Sequence, residues 1–350
     1  MSKIPVAVLG ATGAVGQKFV RLLATHPWFE IRHLAASAEN AGKSYRDGVR
    51  WREPTPIPDA VGDLVLERSD LPVGVPLVFS ALDTKVAGPL EEAWALAGSV
   101  VVTNASPHRM AADVPLLIPE VNADHLALLD RQRSIRGWQG GIVANPNCTT
   151  AGLVLGLAPL HQAFGIDRLF VSTMQAISGA GWPGVASLDI AGNVIPFIAG
   201  EEGKVEEETR KLFGRLSATG VDPAPIVVSA HANRVPVIDG HTETVSVGFG
   251  RSVGLEEARR AFQDWRPISP VAGLPSTPER VVEIDDRPDR PQPRLDLERG
   301  GGMTVTVGRL RPCPLLGLRL VVLSHNTIRG AAGAAIQNAE LLVATGRVAR

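Results

Sequence analysis

The sequence predicts an α/β fold in two parts, a Rossmann-type doubly wound first half and an α+β second half with a mixed sheet. Three observations predict it. Over the first 145 residues short apolar runs alternate with helical patterns, as parallel βαβ units do. A glycine-rich turn, Gly10 to Gly16, separates the first such run from the first helical pattern. Beyond Asn147 the pattern changes to longer β-type stretches, suited to a sheet covered on one face and open to a partner subunit on the other.

Taken in order, residues 4–9 read as a buried strand. Residues 14–25 then place Val15, Phe19, Leu22 and Leu23 at helical spacing. Strands are expected at 33–36, 64–66, 77–79, 100–103 and 142–144, and a helix at 88–96 with Pro89 in its first turn. A Leu- and Ala-rich helix follows at 150–164. The second half is expected to form strands at 169–177, 226–229, 242–248 and 303–310, with helices at 200–212 and 255–265. Residues 285–299, crowded with Asp, Arg and Pro, read as an exposed loop. A strand at 318–324 and a helix at 329–345 close the chain. These elements divide it into 1–147, a dinucleotide-binding domain; 148–323, a catalytic and dimerisation domain; and 324–350, a helix packing back on the first domain.

Composition limits the function classes. The chain has 350 residues, too many for one ordinary core, with 45% hydrophobic and 20% charged residues. A formal net charge of −1 gives no electrostatic footprint for nucleic acid or an acidic membrane. No apolar run approaches the roughly 20 residues of a membrane-spanning helix. Met1-Ser2-Lys3 enters the first strand at once, so no leader is expected. Cys148 and Cys313 are the only cysteines, which excludes a disulfide framework and a cysteine metal cluster. No metal is expected, and a reducing cytoplasm suits a free thiol.

The turn Gly10-Ala11-Thr12-Gly13-Ala14-Val15-Gly16 sits where a strand hands over to a helix. There, glycines let backbone approach a pyrophosphate whose charge meets the helix N-terminus. A glycine turn without a ligand is the plainer alternative, and the G-x-x-G-x-x-G spacing is looser than the usual fingerprint. After the second strand an NAD site usually carries Asp or Glu. Here Ser37 can donate to a 2′-phosphate and Lys43 can neutralise it, which favours NADP, while Glu39 keeps NAD open. Ser80 closes the strand 77–79 on the ligand-binding edge and is either a cofactor contact or a plain strand end.

Cys148 lies in Asn145-Pro146-Asn147-Cys148-Thr149-Thr150, at the start of a helix whose N-terminus favours a thiolate. Buried cysteines are more often inert, but polar neighbours flank this one on both sides; Cys313, between two prolines, is read as inert. A thiol nucleophile needs a proton partner. His241 is the strongest candidate, because Arg234, suited to bidentate capture of a carboxylate, precedes it in the same stretch.

Five segments in this order resemble aspartate-semialdehyde dehydrogenases, in their archaeal and fungal branch. They are Gly10–Gly16, Asn145–Thr150, Ile177-Ser178-Gly179-Ala180-Gly181, Asn233–His241 and the run from His325 to Gly333. The resemblance covers residues 4 to about 345. It implies that Cys148 is the nucleophile, His241 the general acid/base, and Asn147 and Gln175 the groups that orient the reacting carbonyl and substrate. It further implies that Arg234 grips the substrate α-carboxylate, Glu201 its amino group, and Arg109 and Lys204 its phosphate. Ser178, Gly179, Gly181 and Asn326 then lie near the nicotinamide half of NADP. Without the resemblance, Glu201 and Lys204 would read as a solvated i, i+3 pair and Arg109 as a surface residue.

The chain departs from that family's pattern at Ala232, at Gly203 inside the helix start, and at Trp182, where Tyr is more usual. The implied reaction is reduction of L-aspartyl 4-phosphate by NADPH to the 4-semialdehyde and phosphate, through a thioester on Cys148. It would serve lysine, threonine, methionine and isoleucine biosynthesis, in a homodimer or homotetramer. Rival readings are a malonyl-CoA reductase or an N-acetyl-glutamyl-phosphate reductase of the same fold, or a non-catalytic NADP-sensing protein.

Overall fold

The computed structural model describes residues 2–267 and 269–349. The first sheet is wholly parallel, in the order β3-β2-β1-β4-β5-β6. Its strands are β1 (Ile4–Leu9), β2 (Phe29–Ala36), β3 (Leu66–Arg68), β4 (Leu77–Ser80), β5 (Val100–Thr103) and β6 (Gly141–Ala144). β4, β5 and β6 are buried on both faces, which is why they read as unbroken apolar runs and not as alternations. The longer helices of this half are α1 (Ala14–Leu23), α2 (Thr84–Leu96) and α3 (Leu128–Arg136).

A short two-stranded ribbon, β8 (Arg215–Ser217) with β9 (Gly220–Asp222), is set apart from the second sheet. That sheet is mixed, in the order β10-β7-β11-β14-β13-β12. It is formed by β7 (Ile166–Gln175), β10 (Val227–Arg234), β11 (His241–Phe249), β12 (Val282–Asp285), β13 (Val305–Pro312) and β14 (Leu318–Ser324). β10 runs parallel to β7, and β11 antiparallel to both β7 and β14. Along β7 burial alternates: Leu169, Val171, Thr173 and Gln175 face inward, and Arg168 and Phe170 outward. The inner face is covered by α4 (Cys148–Phe164), with α5 (Glu201–Leu212) and α6 (Leu255–Asp264) beside it.

Two hydrophobic cores result. One joins residues of the first sheet (Val78, Val101, Ile142) to α4 and the inner face of the second sheet (Leu153, Val171, Val245, Val322). The other lies on the opposite face of the first sheet. It joins Val6, Phe79 and Val102 to Phe19 of α1 and to Ile336, Ala339 and Leu342 of the last helix, α7 (Gly333–Ala344).

Several expectations need correction. β2 begins at Phe29, four residues earlier than expected, and β3 lies two residues later. α2 begins at Thr84, where Asp83 caps it by accepting from the Lys85 N–H, so Pro89 sits inside the helix and not in its first turn. α4 begins at Cys148, which makes the thiol its first residue. Residues 285–299 are not a simple exposed loop. Asp285 and Asp296 are buried and bound by Arg287, Arg290 and Arg299, which folds the segment back on itself. The last helix is interrupted by a π-turn at Ile328–Ala332.

Candidate active site

Cys148 gains its setting from Asn147, the N-cap of α4. The Asn147 Oδ1 accepts from the backbone N–H of Thr149 (2.9 Å) and Thr150 (3.2 Å), while its Nδ2 donates to Glu201 Oε1 at 2.8 Å. The cap satisfies donors that the first turn leaves open, and the nucleophile stands at the positive end of the helix. Opposite, at the start of β11, His241 is fully buried with Nε2 3.2 Å from Cys148 Sγ. The other ring nitrogen, Nδ1, accepts the backbone N–H of Ala176 at 3.0 Å. The neutral ring therefore carries its proton on Nε2, facing the sulfur.

The carbonyl of the same residue, Ala176, accepts from Arg234 Nη1 at 2.7 Å. Gly179 is required beside this pair, since a Cβ there would lie 3.0 Å from Arg234 Nη1 and 3.1 Å from His241 Cε1. Burial first, then the neighbouring Arg234 and His325, push the imidazole down to about 3. Burial, followed by the Glu201 carboxylate, pushes the Cys148 thiol up to about 12, against the pull of Arg109, Arg234 and the Thr149 N–H.

Cys148 opens into a cavity of about 420 Å³ that gathers residues from all three segments of the chain. Arg109, Asn147, Gln175, Glu201, Lys204 and Arg234 line it, together with Ser178, Gly179, Gly181, Val15 and Asn326. Glu201 is buried and not solvated; Lys204 reaches it at 3.4 Å and stays partly exposed. The helix runs unbroken through Gly203. Gln175 is buried, its Nε2 3.3 Å from Thr173 Oγ1. Asn326 ties two loops, accepting from the Gly240 N–H and donating to Ser178 Oγ, both at 2.8 Å. Trp182 lies over Arg52, whose guanidinium carbon is 3.0 Å from the ring centroid.

A second cavity, about 770 Å³, runs along the carboxyl edge of the first sheet and is lined by Gly10, Thr12, Gly13, Ser37 and Arg68, among others. A Cβ at Gly16 would fall 2.1 Å from the Gly10 carbonyl oxygen, so only glycine permits the turn to close under α1. Ala14 begins α1 itself. Lys43 does not line this cavity; it is exposed and donates to Asn40 Oδ1. Two cations line it, Arg68 and Lys85, and the one beside Ser37 is Arg68, paired with Ala36 in register at the end of β2 and held by Asp70. Ser80 is fully buried and donates to Glu91 Oε1 at 2.6 Å, which removes its hydroxyl from the cavity.

Sequence reasoning also missed Glu208, Lys211 and Arg68. Glu208 was recoverable as the residue seven after Glu201, on the same helical face. Arg68 carries no comparable signal, since only strand pairing brings it beside Ser37. Among the described residues, no group of three His, Cys, Asp or Glu side chains is placed to share a metal ion.

Two family models match the chain: "Semialdehyde dehydrogenase, NAD binding domain" over residues 5–129 and "Semialdehyde dehydrogenase, dimerisation domain" over 157–329. An aspartate-semialdehyde dehydrogenase of Archaeoglobus fulgidus is 53% identical over 339 residues, covering 97% of both chains. The chain belongs to the aspartate-semialdehyde dehydrogenase family. The family member of Saccharomyces cerevisiae is 43% identical over 96% of this chain and 97% of its own. The crystal structure of the Candida albicans aspartate-semialdehyde dehydrogenase with NADP matches with a TM-score of 0.90 at 43% identity. It covers 99% of this chain and all of that one. A Vibrio cholerae enzyme matches with a TM-score of 0.79 at 27% identity, over 98% and 99% of the two chains.

Proposed function

We infer that the chain catalyses its family's reaction, the reversible NADPH-dependent reduction of L-aspartyl 4-phosphate to L-aspartate 4-semialdehyde and phosphate. The observation that carries this reading is the Cys148–His241 contact of 3.2 Å in a cavity that also presents Arg234 and a buried Glu201. Arg234 suits the α-carboxylate, and Glu201 suits the α-ammonium group. A malonyl substrate has no ammonium group, so the buried carboxylate favours the aspartyl compound.

Cys148, as its thiolate, attacks the acyl carbon, its thiol proton having passed to solvent; the C–O bond to phosphate breaks, and the phosphate leaves toward Arg109 and Lys204. Asn147 and Gln175 orient the carbonyl. His241 holds or returns a proton at Nε2, the nitrogen that faces the sulfur. Bound NADPH supplies the hydride that reduces the thioester. The glycine turn with Thr12, Gly13, Ala14 and Val15 fits its pyrophosphate, Ser37 and Arg68 fit its 2′-phosphate, and Ser178–Gly181 with Asn326 fit its nicotinamide end.

The likeness of the second half to a dimerisation domain supports a homodimer closed through the outer face of the second sheet. Assembly of two dimers into a homotetramer is the larger alternative. Among the described residues no helix is long and apolar enough to cross a membrane. We place the enzyme in the cytoplasm, feeding lysine, threonine, methionine and isoleucine synthesis. Residues 1–147 and 148–323 are proposed as its two domains, with 324–350 returning to the first.

Oxidation of aspartate semialdehyde with NADP, compared with phosphate and with coenzyme A as acceptor, tests the reading. Phosphate-dependent turnover is expected, and turnover with coenzyme A alone would transfer the chain to the malonyl-type reaction. Cys148→Ala should abolish turnover while fluorescence titration shows NADPH binding nearly unchanged; an active Cys148→Ala enzyme would refute the thioester.

A further inference from the structure

We propose that Glu208 and Lys211 are positioning residues that build the phosphate subsite and tie it to the nucleophile loop. The proposal rests on the assignment of Arg109 to the phosphate. Glu201, Lys204, Glu208 and Lys211 follow one another along α5 at intervals of three, four and three, which puts them on one face of the helix. The first two line the catalytic cavity. The second two are buried behind it, at 2% and 5% exposure.

The Glu208 carboxylate serves two masters of the site. Its Oε1 accepts from Arg109 Nη1 at 3.0 Å, and its Oε2 accepts from the backbone N–H of Asn147 at 2.6 Å. Lys211 directs its ammonium group at three carbonyls of the segment that carries Arg109: those of Arg109 (2.7 Å), Ala111 (2.9 Å) and Val114 (3.0 Å). Arg109 Nη2 donates to the Asn104 carbonyl at 2.6 Å, while its buried Nε–H has no partner among the described residues. A guanidinium clamped at two nitrogens is held in one orientation at the wall of the cavity it lines, as anion binding needs.

Buried charges are poor stabilisers, and apolar side chains would fill the same volume at least as well. Their presence is explained if they fix where the guanidinium stands. Because one carboxylate holds both Arg109 and the Asn147 amide, the phosphate subsite and the start of α4 cannot shift independently.

The test is steady-state kinetics of Glu208→Gln and Lys211→Met in the phosphorylating direction. In both, KM for phosphate should rise about tenfold, while KM for aspartate semialdehyde and for NADP stays within about twofold. Glu208→Asp, which keeps the charge, should recover part of the loss. In an Arg109→Lys background, Glu208→Gln should add less than about twofold, since both changes act through one group. A purely structural role would lower the melting temperature and kcat without separating the KM values, and that pattern would overturn the proposal. An unchanged phosphate KM in Arg109→Ala would remove the subsite itself, and the positioning role with it.

Discussion

The backbone of one residue, Ala176, sets the chemistry of two side chains: its N–H fixes the tautomer of His241 and its carbonyl holds Arg234. With the imidazole pushed down to about 3 and the thiol up to about 12, the free enzyme holds neutral histidine beside protonated cysteine. A raised thiol pKa leaves little thiolate at neutral pH. Alkylation of Cys148 by iodoacetamide in the free enzyme should therefore climb about tenfold per pH unit between about pH 7 and 9. A rate already level from pH 6 would instead reveal a preformed ion pair.

Glu243, two residues along β11, is fully buried; neither carboxylate oxygen has a partner among the described residues, and burial pushes its pKa well above the ordinary range. Its raised folded-state pKa makes its contribution to stability full below the unfolded carboxylate value and progressively lost as pH rises above it. Glu243→Gln should then raise the melting temperature at pH 7 to 8 and leave it unchanged near pH 4. An equal shift at both pH values would contradict this. Cys148, His241 and Arg234 were legible because their side-chain chemistry is written in their letters. Ala176 was not, since a backbone contact is independent of the side chain, and Glu243 shows only as a carboxylate in phase with Val245 and Val247.

At the scale of elements, α4 and α5 meet at the Asn147 cap. Asn147→Ala would free the N–H groups of Thr149 and Thr150 and take a partner from Glu201. A loss of about 1–2 kcal/mol in stability is expected, with a fall in kcat from the misplaced carbonyl contact. Denaturant titration and steady-state rates check the two parts separately, and unchanged stability would mean that solvent replaces the cap. Most elements were visible, either as apolar runs, as in β4, β5 and β6, which are buried on both faces, or as periodicity, as in β7, which alternates. β12, β8 and β9 escaped notice: at four, three and three residues they carry no period, and charged residues break the apolar run that marks β4, β5 and β6. Boundaries moved where capping outweighed pattern, as at Asp83, whose side chain starts α2 one turn before the residues that read as helix.

Across the whole molecule, Arg329 is the main polar tie between segments. It donates to Glu120 and Gln337 at 2.9 Å and to the Met303 carbonyl at 2.7 Å, and both it and Glu120 are almost wholly buried. Glu120→Ala would strand the guanidinium, at a cost of about 3–5 kcal/mol. A melting temperature within experimental error of the parent would show that Gln337 and the carbonyl suffice. The two-part architecture was readable from the change of pattern at Asn147, but the shared core was not, since nothing local records which distant face a helix covers. The last helix lies against strands made from the first hundred residues, and this orders events during synthesis. Until that helix has emerged, one face of the first sheet, with Val6, Phe79 and Val102, is covered only in part, by α1. The nascent chain must be kept from aggregating until that helix is made, so a chain stopping before Gly333 would be a sticky fragment and not a working cofactor-binding half.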